Sequence, residues 1–313
     1  MSEAPCSDAA RRRGDRWVGT APPARRWFLV TKTGDWDVDA WQGLHADPDT
    51  KAVLREMLAA AGARLMLIRR PGRHQEQPSL WGIVDSASTP RIRWGAQGGD
   101  DDLLLAARSL LAAAPHPHPG GSGSEEGPLL LVCTHGRKDR CCAVRGRPVA
   151  AAAAEQWPDA TWECTHTGGD RFAGNLIVLP DGACYGGLDA SDVGPVVAAH
   201  LAGRVDPAHL RGPTGMTPAT QAAVVAVHER WGPLAWSDVV AARQSGDAAR
   251  WSVHLRVTSI GRVRVTGHTE LTPPHLLTCD AVRPSPMALP VVDAVERLTS
   301  EEAAERWVRP PVR

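Results

Sequence analysis

The hydrophobic pattern changes its period several times along the chain, in the same order on either side of a Pro/Gly/Ser-rich stretch. Short apolar runs predict strands, and apolar positions three and four apart predict helices. Before the stretch this gives a strand, helix, strand, hairpin and helix over 27–32, 49–61, 64–69, 80–85 with 91–95, and 101–113. After it the same order recurs over 129–133, 147–156, 161–166, 175–180 with 183–188, and 191–202.

The repeated order β-α-β-β-β-α is the one that a thioredoxin-like module needs. We therefore predict an α/β fold with two thioredoxin-like modules in tandem, each a mixed β-sheet flanked by helices, at residues 1–114 and 129–204. Residues 115–128 are Pro, Gly, Ser, His and Glu, which cannot bury a core, and are predicted to be a linker. The first module has no cysteine beyond Cys6 and is interpreted as a degenerate, structural copy.

Beyond the second module the pattern becomes weaker. Residues 205–313 are predicted to form an α/β appendage. Its elements would be helices at 218–231 and 237–244, followed by strands at 251–259 and 262–268 that form a hairpin.

Bulk charge excludes some partners. The chain of 313 residues has 35 basic and 35 acidic side chains, so nothing indicates a nucleic-acid partner. No run approaches the ~20 apolar residues of a membrane span, so no membrane partner is expected either. Arg11–Arg13 precede no apolar stretch and indicate no export signal, which favours a cytoplasmic location. Clustered cysteines in that reducing compartment bind metals more often than they form disulfides.

Four of the seven cysteines lie between residues 133 and 164. Eight residues separate Cys133 from Cys142 in a charged loop, and His166 precedes Gly168 and Gly169. Thiolate and imidazole are ligands that both zinc and iron–sulfur clusters accept. The C-x8-C spacing is wide for a zinc knuckle and suits a larger cofactor. The alternative is that both cysteines are buried thiols without a ligand role.

These loops carry a family resemblance. The segment C-T-H-G-R-K-D-R-C-C, the segment H-T-G-G-D-R-F-A-G-N and the following L-I-V-L-P-D-G resemble the sucrase/ferredoxin-like family, closely over residues 129–203. The metal domain of that family resembles the thioredoxin-like [2Fe–2S] ferredoxins. The resemblance implies a one-electron carrier with mixed Cys and His ligation, which exchanges electrons with a separate reductase or an acceptor protein.

The fourth ligand is left between two residues. Some family members resemble H-x-G-G-H, and this chain has Asp170 in the place of the second histidine. Cys164 is the softer donor and lies two residues before His166, on the same face of the predicted strand. We lean towards Asp170, because it occupies the matched position. Cys141 is interpreted as packing or a spare thiol, and Cys6, Cys184 and Cys279 as non-ligands.

Three other functions compete with the electron carrier. A thiol-dependent redox enzyme would use Cys133 with His135, or the adjacent Cys141 and Cys142, but the chain has no C-x-x-C motif. A zinc-stabilised binding module would use the ligands named above. Sucrose hydrolysis would need two facing carboxylates, and the acidic cluster Asp100–Asp102 does not indicate such a pair.

Overall fold

The computed structural model describes residues 4–72, 77–85, 91–112 and 127–299. This part of the chain is a mixed α/β fold with a nine-stranded sheet and a four-stranded sheet. The first elements are α1 Cys6–Arg13, β1 Arg26–Thr31, α2 Ala40–Gly43, α3 Pro48–Ala60, β2 Ala63–Arg69, β3 Leu80–Asp85, β4 Ile92–Ala96 and α4 Asp100–Ala112. Next come β5 Leu129–Cys133, α5 Arg140–Gln156, β6 Thr161–Cys164, β7 Leu176–Leu179, β8 Ala183–Tyr185 and α6 Ala190–Leu201. The last are β9 Leu210–Pro213, α7 Pro218–Trp231, β10 Val239–Gly246, β11 Trp251–Val257, β12 Gly261–Leu271 and β13 Ala288–Arg297.

Two modules of the same topology make up most of the large sheet. In the first, the strand order is β4-β3-β1-β2, with β1 parallel to β2 and antiparallel to β3. In the second it is β8-β7-β5-β6, with β5 parallel to β6 and antiparallel to β7. The predicted α/β fold is therefore confirmed, and the element order recurs in space as well as in sequence.

The modules join through β2 and β6, which pair antiparallel with Ile68 opposite Cys164 and Arg69 opposite Glu163. The nine strands thus form one continuous sheet, extended at its far edge by β9. Separate cores lie under α3 with α4 and under α5 with α6. The opposite side of the sheet forms a core that both modules share, and Cys133, Cys142 and Cys164 belong to it.

Strands β10–β13 form the separate antiparallel sheet, against which α7 packs. The predicted helix over 237–244 is wrong: this segment is β10. Its run of Val and Ala fits either period, and pairing with β11 through a turn at Gly246, which has a positive φ of 88°, decides for the strand. Helix α5 begins at Arg140, seven positions before the predicted start at 147.

The predicted linker 115–128 lies outside the described residues except for 127 and 128. In the described part of the chain, no helix combines the length and the apolar character needed to cross a membrane.

Candidate metal centre

The candidate centre lies where β5 and β6 end. These strands are parallel neighbours, so their carboxyl ends, Cys133 and Cys164, meet at the same edge of the sheet. The loop after β5 leads into α5, whose N-cap Asp139 accepts a hydrogen bond from the Cys141 backbone N–H at 2.8 Å. Cys142 consequently lies in the first helical turn of α5.

Three of the predicted ligands come together there. The sulfurs of Cys133 and Cys142 and a ring nitrogen of His166 all lie within 4.8 Å of one another. Both cysteines are fully buried, whereas 24% of the His166 side chain is exposed. The centre is thus enclosed on the thiol side and reachable from solvent on the imidazole side.

Asp170 contacts two members of this group. Its Oδ1 accepts a hydrogen bond from the Cys142 thiol at 3.1 Å and lies 2.9 Å from His166 Nδ1. That nitrogen is buried, and despite the short distance it has no partner in hydrogen-bond geometry among the described residues. The Asp170 carboxylate forms an ion pair with it, and two thiols with one imidazole are the donors that soft metal ions prefer. The donor set therefore fits a soft metal cofactor.

Cys164 does not join the group. It is fully buried and pairs in register with Cys133, but, like Asp170, it is not among the residues whose donor atoms all lie within 4.8 Å of one another. What distinguishes Asp170 is its contact with Cys142 and His166. Burial, followed by the nearby Cys133, raises the pKa of the Cys164 thiol well above the usual value. Strand β6 ends at Cys164, so strand alternation no longer relates the direction of this side chain to that of His166.

Charges alternate in the metal-free group. The pKa of Cys133 is held well below its usual value by hydrogen bonds from the Cys142 thiol, from His166 and from the His135 backbone N–H. The hydrogen bond to Cys133 and burial raise the pKa of Cys142. Burial alone would lower the pKa of His166, but Asp170 and Cys133 outweigh it and raise the pKa to about 9. These directions favour a thiolate at Cys133, an imidazolium at His166 and a carboxylate at Asp170, and a metal ion would replace the shared protons.

His135 has a role that the sequence analysis did not assign. Its Nδ1 accepts a hydrogen bond from the His166 backbone N–H at 3.0 Å, and its Nε2 donates to the Asp37 carbonyl at 2.6 Å. Burial lowers the pKa of this imidazole. With both nitrogens engaged, His135 is a neutral side chain that positions His166 and is not free to act as a base for Cys133. Its place in the loop, two residues after Cys133, was the available signal.

Arginine side chains of the first module contact, directly or through Glu163, the loops that follow β5 and β6. Arg64 donates to the carbonyl oxygens of His166 and Thr167, the latter at 3.1 Å. Arg69 forms a buried ion pair with Glu163 at 2.7 Å, and Glu163 also accepts from Thr134 at 3.2 Å. The module without ligands therefore orients the backbone on either side of the donor groups.

Two glycine positions set the local packing. Gly169 has φ 78°, and a Cβ there would lie 2.5 Å from the Arg211 guanidinium. Arg211 in turn donates to the Gly168 carbonyl at 3.0 Å. At Gly146 a Cβ would lie 2.0 Å from the Cys133 carbonyl oxygen, so only glycine lets α5 approach the end of β5 this closely.

Comparison with known proteins agrees with this construction. A family model described as sucrase/ferredoxin-like matches residues 17–212, which is more than half of the chain. The chain belongs to the sucrase/ferredoxin-like family. The match takes in both modules of this sucrase/ferredoxin-like protein, so the first module is part of the family unit. Searches of curated proteins and of solved structures give no significant match.

Proposed function

We propose that this sucrase/ferredoxin-like protein is a one-electron carrier that binds a [2Fe–2S] cluster through Cys133, Cys142, His166 and Asp170. The observation that carries the proposal is the convergence of two buried thiols and one imidazole within 4.8 Å, from two loops that the family match includes. When bound, such a cluster supplies a couple that takes up and releases one electron.

The residues of the chain would set the properties of that couple. The His135 backbone N–H donates to the Cys133 sulfur, and such hydrogen bonds draw charge from a thiolate ligand and raise the reduction potential. Neutral imidazole in place of a thiolate would reduce the negative charge further, whereas the Asp170 carboxylate has the same formal charge as the thiolate that it replaces. Asp170 also contacts the Cys142 thiol and His166 Nδ1, and these two contacts orient its carboxylate towards the centre.

Electrons would enter or leave on the imidazole side. A cleft of about 400 Å³ between the modules is lined by His166, His135 and Lys138 of the second module and by Trp41, Arg55 and Arg64 of the first. We propose this cleft as the place where a separate reductase or acceptor protein approaches. We further propose a reducing, cytoplasmic location without nucleic-acid or membrane partners, on the ground of the zero formal net charge and the free thiols.

The test is spectroscopic and analytical. Protein made with ample iron and purified without oxygen should be reddish-brown and contain about two irons and two sulfides per chain. Cys133→Ser should remove both, and Cys184→Ala, a buried cysteine outside the group, should keep both. Iron-free protein under these conditions would contradict the proposal.

A zinc-stabilised binding module is the second candidate, and one observation favours it. Zinc bonds of about 2.0–2.3 Å in tetrahedral geometry place neighbouring donors roughly 3.5–3.8 Å apart. The three donors within 4.8 Å of one another would need little movement to surround a single ion. A colourless protein that loses one zinc on Cys133→Ser would favour this candidate over the cluster.

A further inference from the structure

A second group of ligating side chains lies at the other side of the α5 N-terminus. Donor atoms of Cys6, Asp139, Cys141 and Cys279 all lie within 4.8 Å of one another. They come from three distant parts of the chain: α1, the start of α5, and the segment 272–287 between β12 and β13. Cys141 and Cys142 are adjacent and point to different groups, so each group has its own sulfurs.

The sulfur separations suit one metal ion. Cys141 Sγ lies 3.6 Å from Cys6 Sγ and 3.4 Å from Cys279 Sγ. A disulfide would require about 2.05 Å, so these sulfurs are not bonded to each other. Tetrahedral zinc with bonds of about 2.3 Å places its sulfurs roughly 3.8 Å apart, which the observed separations approach.

The carboxylate of this group is buried, and the exposed Arg140 attracts it. Asp139 is 2% exposed, and its two oxygens accept from the backbone N–H groups of Cys141 and Cys279 at 2.8 and 2.7 Å. Cys6 Sγ also lies 3.6 Å from Oδ2. In the described part of the chain no basic side chain forms an ion pair with Asp139, although the exposed Arg140 faces Cys279. A buried carboxylate beside three thiols is stabilised by a cation that all four donors share.

The segments that supply the outer donors are held by partly exposed polar contacts and by little apolar packing. Helix α1 reads C-S-D-A-A-R-R-R, and its ion pairs, such as Arg11 with Asp189, are partly exposed and contribute little each. Segment 272–287 has no helix or strand, only an isolated bridge between His275 and Ser285. Both segments meet in a small separate core formed by Cys6, Cys141, Cys279 and Ala173. A shared ion would explain why they converge there.

The family model covers only two of the four donor residues. It covers Asp139 and Cys141, whereas Cys6 and Cys279 lie outside residues 17–212. This second group is therefore built with flanking segments that the family model does not include, and it is separate from the redox centre proposed above.

We propose that Cys6, Cys141, Cys279 and Asp139 bind a zinc ion that fastens α1 and segment 272–287 to the start of α5. Three thiolates and one carboxylate form a closed set of four donors, which is typical of a structural zinc site. Binding replaces the three thiol protons, which are released to solvent, and no electron is transferred. The ion would thus stabilise the helix start that carries Cys142.

The experiment uses full-length protein with Cys133→Ser, which removes a donor from the first centre. This variant should contain one zinc per chain, and Co²⁺ exchanged for the zinc should give the intense thiolate–cobalt charge-transfer absorption of a tetrahedral site. Adding Cys279→Ser, at a partly exposed position, should lower the metal content and the absorption at least tenfold. Adding Cys184→Ala instead should leave both unchanged, and circular dichroism checks that each variant is folded.

Limited proteolysis gives a readout that does not depend on metal analysis. Chelation or Cys279→Ser should speed tryptic cleavage at Arg11–Arg13 and chymotryptic cleavage at Leu276 and Leu277 several-fold, because both segments lose their common anchor. Metal content that does not change with Cys279→Ser, or a Cys141–Cys279 disulfide in place of metal, would overturn the proposal. If the wild type lacked iron but kept Cys279-dependent zinc, the electron-carrier proposal alone would fail.

Discussion

The two modules have the same strand order, and they differ in what their loops contain. At the end of β5 and β6 the second module places Cys133, Cys142 and His166. At the corresponding ends of β1 and β2 the first module places Lys32, which pairs with Asp37 at 3.0 Å, and Arg69, which reaches across to Glu163. The shared topology provides two adjacent loops, and the residues in those loops decide whether they bind a metal or support the neighbouring module.

If the loop residues decide which module binds the metal, replacing a donor cysteine should have the largest effect. Cys133→Ser and Cys142→Ser should each reduce the bound iron from about two per chain to almost none, because each removes a buried thiolate ligand. Iron and sulfide analysis and the visible spectrum measure the loss. Cys164→Ser should retain the iron, since Cys164 lies outside the group. Equal loss in all three variants would show that the cysteines act through folding and not as ligands.

The next effect should come from the supporting module. The Arg69 side chain is 3% exposed and the Glu163 side chain 6% exposed. Glu163→Gln therefore leaves a buried guanidinium without its counter-charge. Breaking such a buried pair should lower the free energy of unfolding by about 3–5 kcal/mol. Denaturant unfolding measures it. Arg91→Gln is the matched control, because its 3.0 Å pair with Asp181 also connects the two modules but is exposed, so it should cost less than about 1 kcal/mol.

The fourth donor should produce a smaller change, in which the cofactor is altered but not lost. Asp170 contacts Cys142 and His166, so Asp170→Asn should change the visible spectrum and the reduction potential. Asp170→His should keep a cluster whose potential falls as pH rises through the imidazole pKa. Redox titration at several pH values measures both variants. A larger spectral change in Cys164→Ser than in Asp170→Asn would reverse the assignment.

The smallest predicted effect distinguishes two neighbouring histidines in metal-free protein. His166 should titrate with a pKa of about 9, whereas the pKa of His135 should lie below its ordinary value. Because the pKa of His166 is raised in the folded state, its contribution to stability is complete below about 6.5 and is lost as pH rises through about 9. NMR titration of the imidazole signals, assigned with His166→Gln and His135→Gln, measures both. If both histidines titrated with the ordinary pKa of an imidazole, the assignment of opposite pKa shifts to them would be contradicted.

The sequence was sufficient where the signal is local. Apolar runs bounded by turn residues placed β5 and the β3–β4 hairpin within one or two residues of their observed bounds. The spacing of Cys133, Cys142 and His166 identified side chains that the fold brings together. Both results depend on short stretches whose residue types carry the information.

Features that depend on distant contacts could not be predicted in this way. The close approach of α5 to the end of β5 depends on Gly146 fitting against the Cys133 carbonyl, which the segment itself does not reveal. The support from Arg64 and Arg69 involves partners far away in sequence. From the sequence, Cys6 and Cys279 are interpreted as non-ligands, since Cys6 lies near the N-terminus and Cys279 in the predicted appendage, and only the tertiary fold places them beside Cys141.

The antiparallel join of β2 and β6 has a consequence for how the protein can be divided. Each of these strands would be the outermost strand of its own module, with backbone N–H and C=O groups open to pairing. In the intact chain each strand covers the other, as two copies would across the two-fold axis of a dimer. The two modules are therefore arranged like the subunits of a dimer within one polypeptide. A fragment containing only the second module would include the cysteines but expose the unpaired edge of β6. We expect such a fragment to self-associate through this edge.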